Sequence, residues 1–275
     1  MISFLHNFSP SPNIFSLGSL TLKWYGLLIV LGATLALLVA LKLAKYYQLK
    51  KEVVLDLAFW LIIIGLLGAR LYDVLLELPY YLKYPIKIFY IWEGGLAIHG
   101  AIIAGLFVLY FFSKKHQLNF WVLSALTATV LPLAQAIGRW GNYFNQELFG
   151  RPTNFAWGIP IDINHRPADY LSYTYFQPTF LYESLGLIII FLSLLFLTIR
   201  FLKKQTVCPN FYKNQVFIYL ISYSVLRFFL EFIRIDKTPI LLGLRWPQIV
   251  SLVIIIISLI LIFKSHVLVP SKRQS

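Results

Sequence analysis

The sequence predicts an all-α membrane protein that crosses the bilayer about seven times. Three observations carry that expectation. Hydrophobic residues make up 59% of the 275 positions and charged residues only 13%, with a mean hydropathy of +0.74. A soluble core of this size does not need so much apolar residue. Apolar stretches of about 20 residues, long enough to span hydrocarbon, recur along the chain. Lysines gather in alternate connecting segments, the pattern of cytoplasmic loops.

The expected spans run roughly 20–43, 55–77, 95–113, 120–143, 179–201, 215–234 and 247–264. No internal repeat or low-complexity tract separates them, so residues 1–275 read as a single transmembrane domain. Lys42, Lys45, Lys50 and Lys51 follow the first span. Lys114 and Lys115 follow the third, and Arg200, Lys203, Lys204 and Lys213 follow the fifth; Lys264, Lys272 and Arg273 follow the last. Fewer basic residues lie between the other spans. This bias puts the N-terminus outside and the C-terminus in the cytoplasm. The formal charge of +13 then reflects lysines facing anionic lipid. No basic face is interleaved with polar surface, so no nucleic acid is expected as a partner.

The single cysteine, Cys208, excludes an internal disulfide framework and a cysteine-type zinc site. It falls in a basic loop, and no role is expected for it. The opening MISFLHNFSPSPNIF has no basic n-region and no small-residue cleavage pattern. The first span is therefore expected to be an uncleaved anchor.

Two outer segments exceed a simple turn. Residues 78–94 mix Tyr, Phe and Trp with Lys83 and Lys87, which suits an interfacial arm at headgroup level. Residues 144–178 carry Pro152, Pro160, Pro167 and Pro178, and are expected to form a small outer cap. Within the cap, Asp162, His165, Arg166 and Asp169 read as a solvated loop face.

Polar residues within the spans converge on one level. Arg70 closes the second span and His99 opens the third. Arg139, Asn142 and Asn145 close the fourth, followed by Glu147. Tyr182 and Glu183 open the fifth. Tyr223, Arg227 and Glu231 lie four apart in the sixth, which stacks them on one helical face beside Arg234. Tyr25 opens the first. All lie in the outer half, and the cytoplasmic half looks plain. A pore or proton relay distributes polar groups across the full depth. Clustering at one depth points instead to a site for a lipid headgroup. Four arginines against two deep carboxylates favour an anionic ligand, and a phosphate fits the guanidinium fork. Bland readings stand beside this one. Glu231 with Arg227 or Arg234, and Glu183 with an arginine, are equally structural ion pairs. Arg70 behind Gly65 and Gly68 equally serves packing. Gly138 and Gly141 permit close approach by a ligand or by another helix.

At these residues the chain resembles the prolipoprotein diacylglyceryl transferases. The resemblance rests on GRWGNYFNQELFGRP at Gly138–Pro152, together with WYG at Trp24–Gly26, GAR at Gly68–Arg70 and GGLAIHG at Gly94–Gly100. QPTFLYE at Gln177–Glu183, YSVLRFFLEFIR at Tyr223–Arg234 and PQIVS at Pro247–Ser251 follow in the same order. It implies a bacterial inner-membrane enzyme, multi-pass, with its active site towards the outer leaflet. Such enzymes move diacylglyceryl from phosphatidylglycerol to the lipobox cysteine of a preprolipoprotein signal peptide, releasing glycerol 1-phosphate. No metal or organic cofactor is implied. In these terms His99 is the candidate base for the thiol, while Arg139 and Arg227 stabilise the departing phosphate. Asn142 and Tyr25 hold phosphate or glycerol hydroxyls, and Glu147 and Glu231 orient the arginines. Arg70, Asn145, Gly150, Tyr223 and Arg234 complete the substrate-binding set. The chain departs from the family pattern at Ala101, Gln146 and Gln177, and lacks an acid early in the fourth span. These departures leave open a related transferase with another acceptor. A transporter of anionic lipid, which needs polar groups reaching the cytoplasmic side, is the reading from a different class.

Overall fold

A computed structural model describes residues 2–17, 20–203 and 210–267. Cys208, Lys204, Lys272 and Arg273 lie outside the described residues. The helices are α1 (Ile2–Asn7), α2 (Trp24–Leu43), α3 (Lys51–Leu76), α4 (Leu78–Lys83), α5 (Ile98–Lys115), α6 (Phe120–Phe144), α7 (Thr179–Lys203), α8 (Phe211–Leu230) and α9 (Trp246–Val267). Six of them, α2, α3, α5, α6, α7 and α9, are long and apolar enough to cross a membrane. The seventh expected span is α8. It is also 20 residues long, but Lys213, Asn214, Gln215, Tyr223 and Arg227 interrupt its apolar run. The protein is thus a polytopic helical membrane protein, as the sequence predicts.

Short antiparallel ribbons accompany the helices: β1 (Asn13–Leu17) with β2 (Leu20–Lys23), β3 (Ile159–Pro160) with β4 (Tyr175–Phe176), and β5 (Ile240–Leu241) with β6 (Leu244–Arg245). No alternation of apolar and polar residues is long enough to predict them. The chain divides into two compact units, residues 1–39 with 128–275, and residues 40–127.

In the 40–127 unit, α3 packs against α5 through glycines. A Cβ on Gly100 would stand 2.1 Å from the Gly68 carbonyl oxygen, and one on Gly68 would stand 2.7 Å from the Gly100 oxygen. Two backbones meet because neither residue carries a side chain. The 78–94 arm is α4 followed by two short 3-10 turns, Pro85–Phe89 and Ile91–Glu93. Its Leu82, Phe89 and Trp92 are exposed.

In the other unit, the cap surrounds Phe149, Ile159, Ile161 and Phe176, packed with Tyr143 and Phe180. Leu5 of α1 joins the same cluster. His6 Nδ1 sits 2.8 Å from the Gly158 carbonyl oxygen, and its ring stacks on Tyr175. The amide of Gln146 donates to the Pro10 carbonyl at 2.9 Å and to Asp162 at 2.7 Å. Its oxygen accepts from the Asp162 backbone N–H. Asp162 is therefore tied down, and Arg166 donates to the Ile161 and Leu171 carbonyls. The solvated loop face expected for this segment holds only in part.

The plain cytoplasmic half expected from the sequence is also corrected. At the end of α7 and α8 remote from the cap, the buried Gln215 amide donates to Thr129 and Thr198 at 2.7 and 2.6 Å. The Tyr219 hydroxyl donates to Gln135 at 3.1 Å. These bonds lock α6, α7 and α8 together from inside, where water cannot compete. They satisfy each other and serve packing.

Candidate active site

The end of α6 builds the first half of the site. After Phe144, Gln146 and Leu148 adopt positive φ, 51° and 57°, and turn the chain back on itself. The Glu147 backbone N–H then reaches the Asn142 carbonyl at 3.0 Å. This turn brings the Glu147 carboxylate onto Asn142, whose amide donates to it at 2.7 Å; Asn145 donates more weakly at 3.4 Å. Asn142 is buried and in turn accepts from Arg139 Nη1 at 3.4 Å. The i,i+3 spacing puts Arg139 and Asn142 on one face. Tyr25 closes over Gly141, where a Cβ would fall 2.1 Å from its ring.

The carboxylate that neutralises Arg139 is not Glu147, as the sequence led us to expect, but Glu183 of α7, 2.8 Å from Nη2. Glu147 is exposed, and the turn that returns it aims it at amides instead of guanidinium. Glu183 is almost wholly buried, and its Oε1 is ion-paired without forming an aligned hydrogen bond. Tyr223 of α8 lies within hydrogen-bonding reach of Arg139.

The end of α8 builds the second half. Glu231 is fully buried and is shared by three arginines. Arg227 Nη2 lies 2.9 Å from Oε2, Arg234 Nε 3.9 Å from Oε2, and Arg245 Nε 3.2 Å from Oε1. The four-residue spacing of Arg227 and Glu231 produces the first pair, as expected. Arg234 leans instead on Asp236, 2.7 Å away. Burial raises the Asp236 carboxyl, but the Arg234 hydrogen bond and the charges of Arg234, Arg245 and Arg227 outweigh it and hold it below its ordinary value. Arg227 Nη1 is buried with no hydrogen-bond partner. A buried guanidinium nitrogen without an acceptor is costly, and an anion is the chemical group that would satisfy it.

Gly150 has a packing reason. A Cβ there would stand 2.7 Å from Ile233 and 3.0 Å from Gln177. The chain passes between the two while Gly150 bonds to the Gln177 carbonyl and bridges to Arg234. Gln177 works here through its backbone, which also bonds to Arg151.

Two expected residues belong to the 40–127 unit. Arg70 is buried and donates to the carbonyls of Lys87, Ile88, Gly94 and Gly95, at 2.5 to 2.9 Å. Asp73 lies 3.7 Å away and the Tyr81 ring faces the guanidinium. Arg70 thus clamps the arm, which is the structural role weighed against ligand binding. His99 is exposed beside Tyr72, ring centroids 5.9 Å apart. Arg245, Asp236 and Gln248 were missed by sequence reasoning. The usable signal was the short connection between Arg234 and Arg245, which returns a second arginine to the level of Glu231.

Part-buried guanidinia held by buried carboxylates at the ends of long helices define a class: a polytopic helical membrane protein with a cluster of arginines beside buried acids. The chain belongs to the prolipoprotein diacylglyceryl transferase family, whose model matches residues 12–264. Its curated relatives include the phosphatidylglycerol–prolipoprotein diacylglyceryl transferase of Nostoc sp. (strain PCC 7120), 43% identical over 89% of this chain and 85% of the relative. The Acaryochloris marina enzyme of the same name is 42% identical over 89% and 87%. That of Fervidobacterium nodosum is 41% identical over 89% and 81%.

Proposed function

We propose that this transferase moves the diacylglyceryl group of phosphatidylglycerol to the lipobox cysteine of a prolipoprotein signal peptide. It acts as one transmembrane domain in the bacterial inner membrane, N-terminus outside, C-terminus inside, seven spans including α8, with its site open to the outer leaflet. The observation that carries this reading is the unpartnered Nη1 of Arg227 within a buried, arginine-rich cluster, in a chain whose relatives bear the name of that reaction.

The thiolate sulfur attacks the glycerol carbon that carries the phosphate ester. A C–S bond forms and the C–O bond breaks. Its electron pair stays on the phosphate oxygen, and glycerol 1-phosphate leaves with one more negative charge. Arg139 and Arg227 face that growing charge, and preorganised donors stabilise it without reorganising. Glu183 and Glu231 hold the two guanidinia in place. Asn142, fixed by Glu147 and supported by Asn145, and Tyr25 over Gly141 bind phosphate or glycerol hydroxyls. Tyr223 and Arg234 steady Arg139 and Glu231. Gly150 lets the chain cross beneath Ile233, and Arg70 holds the arm. The imidazole of His99 takes the thiol proton; the support for this role is the sequence motif. The substrate supplies the nucleophile, so the chain needs no reactive cysteine.

The test is rescue of a bacterium depleted of its own enzyme, following a reporter prolipoprotein by gel shift and mass. The intact chain restores the added diacylglyceryl mass. Arg139→Ala abolishes it, and Arg139→Lys also fails, since a point charge cannot reproduce the fork. A fully active Arg139→Lys enzyme would remove Arg139 from the phosphate site. Membrane expression without lipidation would overturn the reaction.

A further inference from the structure

Arg245 is absent from the expected site, yet its guanidinium holds the chain just past the end of α8. Its guanidinium donates to the backbone carbonyls of Glu231, Arg234 and Asp236. These carbonyls lie just past the last residue of α8, Leu230, beside the end where the helix dipole favours a cation. The Nε–H donates to Thr238 at 2.8 Å, and Nε also lies 3.2 Å from Glu231 Oε1, an ion pair without an aligned hydrogen bond. Arg245 is itself fixed from behind. Its backbone N–H donates to the buried Gln248 side chain at 3.0 Å, and Gln248 reaches back to the Phe228 carbonyl. The hairpin of β5 and β6, with positive φ at Leu242 and Gly243, delivers it there.

We propose that Arg245 is a positioning residue for phosphatidylglycerol. It occupies one oxygen of Glu231, so that only the other reaches Arg227. Glu231 then neutralises Arg227 through Nη2 alone and leaves Nη1 without a partner inside the protein. With Arg245 in place, a carboxylate that would otherwise grip Arg227 with both oxygens is held to a single contact. The unpartnered Nη1–H group is the one offered to the lipid phosphate. Arg245 acts through Glu231 and does not touch the substrate. The inference rests on the phosphatidylglycerol reading given above.

The experiment compares the purified full-length enzyme with Arg245→Gln and Arg245→Lys in detergent–lipid micelles. Three quantities are read: KM for phosphatidylglycerol, KM for a lipobox peptide, and the melting temperature. Binding of short-chain phosphatidylglycerol is measured separately by calorimetry. Arg245→Gln is expected to raise KM and the dissociation constant for phosphatidylglycerol on the order of tenfold, the value of one charge-assisted contact. KM for the peptide stays within about twofold. Arg245→Lys, which keeps a charge near Glu231, recovers part of the loss. In the Glu231→Gln background, Arg245→Gln adds little further, because the two act as one unit. Unchanged KM and binding for phosphatidylglycerol in Arg245→Gln overturns the proposal. So does a parallel loss of both KM values and of melting temperature, which marks a purely structural staple. An intact enzyme that binds phosphatidylglycerol without transferring it refutes the reaction, and the binding arm still decides the role of Arg245. An intact enzyme that does neither overturns both.

Discussion

Tyr25 and Gly141 show how one missing methyl group shapes the site. The ring occupies the space that a Cβ on residue 141 would fill, at 2.1 Å. Gly141→Ala therefore moves Tyr25 while leaving every polar group intact. Transfer is expected to fall on the order of a hundredfold, since small misplacements of a positioned group are costly. A lipidation assay on purified enzyme of unchanged melting temperature checks this, and full activity would remove Tyr25 from the substrate. The pairing of these two residues was half legible. The sequence marked both as unusual and gave Gly141 a close neighbour, but not which one. Likewise, spacing along one helix predicted Arg227 with Glu231, and failed for Arg139. Periodicity fixes which residues share a face of one helix. It does not fix which neighbouring helix that face meets, so Glu183 was expected to hold an arginine, and only three dimensions identify that arginine as Arg139.

At the scale of elements, the expected spans and the described helices agree within a few residues, because hydrocarbon thickness sets their length. The β3–β4 and β5–β6 ribbons escaped notice because two-residue strands have no period to read. The hairpin of β5 and β6 is the one that matters most here, since it carries Arg245 to Asp236 and Glu231. Its stability depends on acid in a definite direction. Asp236 has a lowered carboxyl pKa in the folded protein. Its contribution is present above the ordinary unfolded value, about 3.9, and fades as pH falls through the lower folded value. Limited proteolysis of the 236–245 segment should rise in that acid window in the parent. In Asp236→Asn the segment should be equally labile at pH 7 and show no such step. An acid step of the same size in both would assign it to another group.

At the scale of the whole molecule, each unit carries its own fixed scaffold. Gly68 and Gly100 draw α3 and α5 together in one, and the cap core with α1 anchors the other. Gln146 shows why a departure from a family pattern can be tolerated. Its positive φ is a conformation that glycine adopts most easily, and its amide compensates by holding Pro10 and Asp162. Gln146→Gly should keep the turn but free the N-terminal segment, and hydrogen exchange of residues 2–10 should speed up at least tenfold, about 1.4 kcal/mol of lost protection. Unchanged exchange would show that Leu5 and His6 suffice alone. Those bonds join residues more than a hundred positions apart in the chain. During synthesis, the opening segment is made long before its partners at 144–178 leave the ribosome. The amide and ring contacts that fix it arrive only after four expected spans have been made. The opening segment is thus held in place only once the fourth expected span and the residues that follow it have been made.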